Sequence, residues 1–308
     1  AANAKKVAII GGGLLGLEAA RGLLNQGLEV HVVHLQSHLM DVQLDQDAGT
    51  MLQHTLEQMG VHTHLESASK GVLGNGHVTG LAFTDGSTLE CDMLVIAAGI
   101  RPNVDLAKQA GLPVQKGILV HNDLSSRNDS DIYAIGECAE HQGKTYGLVA
   151  AAWEQARILA EQLTKANPES VYSGSSPSTK LKVMGVDLAT FGDKDATSEE
   201  DEVISYVEPS RGVYKKLIVR NARLAGAILL GDGATTPRLL QAFDRQEDVP
   251  ESRAELLFSL AGEAKGLDVA DLPDEAQICN CNGVSKGKIV AAVKAGNRSF
   301  RTLCDATR

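Results

Sequence analysis

The feature that most constrains this chain is Gly11-Gly12-Gly13-Leu14-Leu15-Gly16, set between a short apolar run at residues 7–10 and a helically spaced apolar repeat at residues 14–24. So many glycines would weaken the interior of a strand or helix, so the segment reads as strand, tight turn, helix. Residues 29–35 then alternate around β-branched side chains as a second strand. Residues 45–59 read as a second helix stopped by Gly60, and residues 61–65 as a third strand. The order β-α-β-α-β requires a parallel sheet with right-handed crossovers.

In that frame the G-x-G-x-x-G pattern has a mechanism. Gly11 permits the tight turn, Gly13 lets a pyrophosphate approach the backbone, and Gly16 lets helix and strand close on one another. The helix start at Leu14 and Leu15 supplies free N–H groups and positive potential to the phosphates. A glycine-rich structural turn is the competing reading. An acid is expected at the end of the second strand to hold the ribose, but the strand ends His31-Val32-Val33-His34. Neutral His34 can accept one ribose hydrogen bond, and a plain strand-end histidine is the alternative. NADH is slightly favoured over NADPH because no arginine follows closely.

Downstream, residues 67–90 shorten into extended runs punctuated by Gly74-Asn75-Gly76 and Asp85-Gly86, which mark an antiparallel insertion. Residues 93–97 return to a buried strand before Gly99, residues 102–110 suggest a turn and helix, and residues 132–135 form another strand ending at Gly136. A long helix is expected over residues 148–163, then a Ser/Pro/Gly-rich linker over residues 167–178. Five extended runs between residues 181 and 230 look like an antiparallel meander closed by a helix near residues 237–243. Residues 251–265 look helical, residues 266–277 are acidic and polar, and a further unit opens at residue 278.

At 308 residues the chain has room for about two domains, each with its own core. A net charge of −10 leaves no broad basic face for nucleic acid or an anionic membrane. Five cysteines, Cys91, Cys138, Cys279, Cys281 and Cys304, form an odd, unevenly spaced set that argues against a secreted disulfide framework, which makes the cytoplasm the expected compartment. No export signal and no membrane-spanning apolar run is expected.

Three strings carry a resemblance: Gly13-Leu14-Leu15-Gly16-Leu17-Glu18, Ala97-Ala98-Gly99-Ile100-Arg101-Pro102-Asn103, and Asn128-Asp129-Ser130-Asp131-Ile132-Tyr133-Ala134-Ile135-Gly136-Glu137 ahead of the residue-148 helix. Together they resemble the pyridine nucleotide–disulfide oxidoreductase superfamily. The resemblance implies that Gly136 and Glu137 meet the ribityl–pyrophosphate part of FAD, that Glu18 lies near the nicotinamide, and that Gly99 passes close to the NAD(P)H. A helix-stabilising carboxylate is the other reading of Glu18. Cys91 and Cys138 have no C-x-x-C partner, so a redox disulfide is not expected and electrons must leave for another acceptor.

Cys279-Asn280-Cys281-Asn282-Gly283-Val284 resembles the start of a bacterioferritin-associated-ferredoxin-like [2Fe–2S] domain, which takes four thiolates. The whole order is similar to the large-subunit family of assimilatory NAD(P)H-dependent nitrite reductases. It implies an α/β fold: a doubly wound parallel-sheet NAD(P)-binding domain (residues 1–120), an FAD-domain return segment (121–166), a smaller β-rich domain (179–250), a linker (251–277) and a truncated helical [2Fe–2S] module (278–308). The expectation is a fragment that oxidises NAD(P)H through FAD in the full-length protein. Alone it should be inactive, holding part of the FAD site and two of four cluster ligands. Siroheme and [4Fe–4S] would belong to the missing part, and the implied partners are the rest of the polypeptide, a small nitrite reductase subunit and a second copy. A reductase feeding a nitrate reductase or a rubredoxin-like carrier, and a non-catalytic nucleotide-binding module, are the alternatives.

Overall fold

The computed structural model describes residues 4–175, 178–258, 272–279 and 284–307. Strand β1 (Lys6–Ile10), helix α1 (Leu14–Leu24), β2 (Glu29–Val33), α2 (Gln46–Gln58) and β3 (Val61–His64) follow the expected order. Three antiparallel strands intervene, β4 (Ser69–Gly74), β5 (Val78–Phe83) and β6 (Thr88–Glu90), before β7 (Met93–Ile96) returns beside β1. The four parallel strands lie in the order β3-β2-β1-β7, so chain direction reverses its lateral progress beside β1, where the glycine turn begins. One face of this sheet carries Val7, Ile9, Val30 and Val32 against α1 and α2; the other carries Ala8 and Val33 against Leu81, Phe83 and Leu89 of the insertion.

After α3 (Asp105–Gln109) come β8 (Ile118–Val120), β9 (Ser125–Ser126), β10 (Asp129–Tyr133), β11 (Ala139–His141) and β12 (Lys144–Thr145), a second small sheet in the order β10-β9-β8-β11-β12. Strand β10 spans Asp129–Tyr133 rather than residues 132–135, and every residue of it is exposed. Gly136 does not lead straight into the long helix α4 (Val149–Leu163): a 3-10 turn, Gly136–Cys138, and the β11–β12 hairpin intervene. The segment expected to be a linker is anchored. Tyr172 is fully buried among Val120, Leu124 and Ile158, its N–H bonds the Asn122 carbonyl at 2.7 Å, and Ser175 Oγ donates to Glu154 at 2.6 Å.

The β-rich unit is not a simple meander. Strands β13 (Ser178–Val183), β14 (Val186–Gly192), β15 (Glu202–Glu208), β16 (Val213–Arg220) and β17 (Arg223–Leu230) lie in the order β13-β14-β17-β16-β15. The physical reason is burial: β17 is almost wholly buried and takes a central place, whereas β15 alternates polar and apolar residues as an edge strand. One face joins the nucleotide-domain core through Leu188, Tyr214, Ile228 and Leu230; the other packs Phe191, Leu217 and Leu229 on Leu239 of α5 (Thr236–Arg245) and Leu256 and Leu257 of α6 (Ala254–Leu257). The helix expected over residues 251–265 is a single turn, with Phe258 already extended, and residues 259–271 lie outside the described residues. At the C-terminal end, β18 (Gln277–Cys279) pairs β19 (Val284–Ser285), and α7 (Lys286–Lys294) and α8 (Phe300–Thr307) follow. Among the described residues no helix is long and apolar enough to cross a membrane.

Candidate functional site

The glycine turn stands at the carboxyl ends of β1 and β7. Gly11 has φ +115°, and a Cβ there would lie 2.2 Å from the Ala97 carbonyl oxygen. A Cβ on Gly16 would lie 1.9 Å from the Gly11 carbonyl oxygen, and one on Gly12 2.6 Å from Leu39 Cδ2. These three glycines are fixed by the chain's own packing. Gly13 differs: a Cβ there would meet nothing within 4 Å. Its φ of −85° is open to other residues, so the reason for a glycine is outside the protein's own contacts. As N-cap of α1 it offers no side chain, so the first-turn N–H groups of Leu14, Leu15 and Gly16 point out of the helix without a side-chain acceptor. That cradle fits a pyrophosphate: open space beside bare backbone donors at the positive end of a helix.

His34 closes the cradle from behind. Its Nδ1 accepts the Gly12 N–H at 3.1 Å, which leaves the ring proton on Nε2, donated to Asp41 Oδ1 at 3.1 Å. Both ring nitrogens are therefore engaged within the chain, and the imidazole positions the turn rather than presenting a free acceptor to a ribose. The loop carrying Asp41 is gripped by the β-rich unit. Lys194 Nζ donates to the Asp41 carbonyl at 2.6 Å and to the Leu44 carbonyl at 3.3 Å. Asp45 caps α2 by accepting the Ala48 N–H at 3.0 Å, and its other oxygen accepts from Tyr214 Oη at 2.7 Å and Lys216 Nζ at 2.8 Å. Burial alone would raise the Asp45 carboxyl; the bonds from Lys216, Ala48 and Tyr214 outweigh it and hold the group below the ordinary carboxylate range. Burial and the neighbouring Asp45 push the Tyr214 hydroxyl far up. Local sequence marks Asp45 as a helix cap but carries no sign of partners some 170 residues away.

The β7 loop links this turn to the second one. Ala97 packs at Gly11 and Gly16, Gly99 turns with φ +94° and open space around it, and Ile100 Cδ1 lies 2.5 Å from where a Gly147 Cβ would be, just ahead of α4. There Gly136, φ +81°, donates its N–H to Gln155 Oε1 on α4 at 2.6 Å, and Glu137 is exposed beside it. Helix α4 also starts without a side-chain cap, and its first residues are exposed, Leu148 and Val149 among them. This is an open surface with bare N–H donors, an acid and apolar side chains, which fits one side of a flavin dinucleotide.

Glu18 lies in the second turn of α1, exposed and past the first-turn positions where a carboxylate steadies a helix, so that reading of it fails. Cys91 is buried and its thiol is pushed up by burial, while Cys138 Sγ donates to the Ile135 carbonyl at 3.4 Å. Cys281 lies outside the described residues, and Cys279 is described only as backbone at the end of β18.

Residues 1–156 match the family model of pyridine nucleotide–disulphide oxidoreductases, and residues 177–247 match the rubredoxin NAD+ reductase C-terminal domain. Over 94% of its length the chain is 45% identical to a nitrite reductase [NAD(P)H] of Bacillus subtilis, covering 36% of that protein. It is 41% identical, over 94% of its length, to an assimilatory nitrate reductase electron transfer subunit of the same organism, covering 37% of it. A ferredoxin reductase of Rhodopseudomonas palustris superposes with a TM-score of 0.67 at 28% identity, over 79% of this chain and 61% of that one. The chain thus spans a little over a third of the length of these two curated relatives. With half of its residues under the family model and the nucleotide turn built as described, the chain belongs to the pyridine nucleotide–disulphide oxidoreductase family.

Proposed function

We propose that this chain is the NAD(P)H-oxidising, FAD-dependent electron-input part of a nitrite reductase that converts nitrite to ammonia. Membership of the family implies FAD and NAD(P)H as cofactors. The observation that carries the reading is Gly13: an open position between two glycines locked by backbone contact, at an uncapped helix start. In this reading the backbone of Gly11, Gly13, Leu14, Leu15 and Gly16 holds the NAD(P)H pyrophosphate, Gly99 lets the nucleotide pass close to the β7 loop, and Glu18 stands near the nicotinamide. Gly136 and Glu137, with the start of α4, hold the ribityl side of FAD. Held there, FAD would supply the conversion of a nicotinamide's electron pair into single-electron transfers. The exposed side chains of Leu15, Ile96, Ile100, Leu148 and Val149 would exclude water around the two rings.

In this reading Cys279 and Cys281 would supply two of the four thiolates of a [2Fe–2S] centre. Siroheme and [4Fe–4S] chemistry falls to the remainder of the polypeptide, and a small nitrite reductase subunit and a second copy are the further partners. The similarity to a nitrate reductase electron transfer subunit favours one second reading, in which the same input half serves a nitrate reductase. A four-cysteine siroheme set in the full-length protein decides for nitrite.

Calorimetric titration of NADH and NADPH into the chain tests the nucleotide site. Saturable binding of NADH is expected, weakened in Gly13→Ala; no binding of either nucleotide at millimolar concentration overturns the proposal.

A further inference from the structure

A second group of reactive side chains lies on the same parallel sheet but away from the nucleotide turn. Glu29 and His31 stand two residues apart on β2 and so share a face, and His62 is the register partner of His31 on β3. The rings of His31 and His62 stack with centroids 4.6 Å apart and planes 19° from parallel. His31 Nε2 lies 2.8 Å from Glu29 Oε1, and one ligand atom from each of Glu29, His31 and His62 lies within 4.8 Å of the others. Glu29 begins β2 and His34 follows its end, about 16 Å apart along the strand, so the carboxylate lies at the sheet end far from the glycine turn, with His31 and His62 at mid-strand.

We propose that Glu29, His31 and His62 form a site for a divalent first-row cation of the zinc class, with His64 as the residue that orients His31. Two imidazoles and a carboxylate are a donor set suited to zinc, copper or nickel and unsuited to calcium or magnesium. Tetrahedral coordination at zinc bond lengths puts ligand atoms about 3.4 Å apart. Glu29 and His62 are both exposed and free to close the remaining distance around the buried His31.

The surroundings supply what a metal-bound histidine needs behind it. His31 Nδ1 lies 2.9 Å from His64 Nε2. With Nε2 of His31 on the cation, its proton moves to Nδ1 and is donated to His64, the outer hydrogen bond that fixes ring and tautomer. Burial pushes both His31 and His64 down, which keeps them neutral and able to ligate and to accept at neutral pH. Glu29 is pulled down to about 2 by its bonds to His31 and Lys6, so it is ionised throughout the useful range. One group opposes the cation: Lys6 Nζ sits 3.0 Å from Glu29 Oε1. It already places a positive charge on that carboxylate, and being partly exposed it can be displaced into water.

The test is equilibrium dialysis of the purified chain against zinc, with Cys279→Ser and Cys281→Ser present so that the Cys-x-Cys pair takes no part. One zinc per chain at micromolar free metal is expected. His62→Gln, at an exposed position where the fold is not at risk, should weaken retention at least tenfold, and His64→Gln about tenfold through loss of the outer bond. Lys6→Met should tighten it. NADH titration of each variant serves as the check that the nucleotide domain is folded. Zinc not retained at micromolar concentration, or retained equally by the parent and His62→Gln, overturns the proposal and leaves the histidines as a hydrogen-bonded stack on the sheet.

Discussion

Gly16 and Gly136 stand in the two turns proposed to meet the cofactors, yet they are glycines for different reasons. Gly16 is fixed by its neighbours, because any Cβ would enter the Gly11 carbonyl; Gly136 is fixed by its own backbone, with φ +81° and nothing nearer a Cβ than Ala152 at 3.9 Å. In the first turn Gly11, Gly12 and Gly16 are hemmed in by their own chain, and Gly13 is open. The second leans on α4 through Gln155 and is open across Glu137 and the helix start. On the proposed reading the pyrophosphate cradle is complete within one strand–turn–helix unit, while the flavin edge is only a surface until the rest of the cofactor's contacts are supplied.

Breaking the packed turn should have the largest effect. In Gly16→Ala the 1.9 Å approach to backbone leaves no flexible neighbour to yield, so α1 must move off β1. A loss of about 3 kcal/mol is expected from overpacking of this kind, read from the denaturant midpoint, and NADH binding should vanish with it. Unchanged stability would show that the turn is looser than its contacts imply.

Next is the clamp that carries the loop behind that turn. Asp45→Ala removes the α2 cap and the acceptor of Tyr214 and Lys216 together, and should cost about 2 kcal/mol. Its pH dependence has a definite sign. The folded carboxyl titrates below its unfolded value near 3.9, so its contribution is fully present above that value and is lost as pH falls through the lower folded one. Asp45→Asn should therefore flatten the acid limb of a stability curve below about pH 4 while leaving the shape above pH 6 unchanged. An identical acid limb would detach Asp45 from the clamp.

What could be read in advance divides along the same line as the two turns. Gly11 and Gly16 were legible because the constraint on them is local: a strand before, a helix after, and no room between. The central place of β17 was implicit in the unbroken run Leu224-Ala225-Gly226-Ala227-Ile228-Leu229-Leu230, but its pairing with β14 was not, because strand neighbours depend on how residues 193–201 cross between sheet positions. Tyr172 was hidden by Ser, Pro and Gly around it, although one aromatic in such a stretch is enough to anchor it in a core. Lys194, Tyr214 and Lys216 reach the nucleotide domain only through tertiary packing, and no spacing rule joins them to Asp41 and Asp45.

Two milder substitutions separate backbone conformation from ligand approach. Gly136→Ala should cost about 1–2 kcal/mol for a left-handed residue and leave NADH affinity as it was. Gly13→Ala should do the reverse. With φ −85° and no neighbour, stability should change by no more than about 0.5 kcal/mol, whereas NADH affinity should fall about tenfold, or 1.4 kcal/mol. If Gly13→Ala lowers stability and leaves NADH affinity unchanged, the open position is not the cradle.

The smallest effect sharpens the assignment of the strand end. If His34 met the ribose, replacing it would alter the preference between NADH and NADPH, since only the latter carries a 2′-phosphate. Its geometry says otherwise: Nδ1 is taken by the Gly12 N–H and Nε2 by Asp41. His34→Asn keeps an acceptor near the Nδ1 position and drops the link to Asp41, and His34→Ala drops both. Stability should fall by about 1 kcal/mol in the alanine variant through the orphaned Gly12 donor, and by less in the asparagine one. In both, affinities for the two nucleotides should decline together and their ratio stay fixed in parallel titrations. A change in that ratio would mean that the ring leaves Gly12 to meet the ribose when nucleotide binds, and the turn would then be one that its ligand rearranges rather than one that stands ready for it.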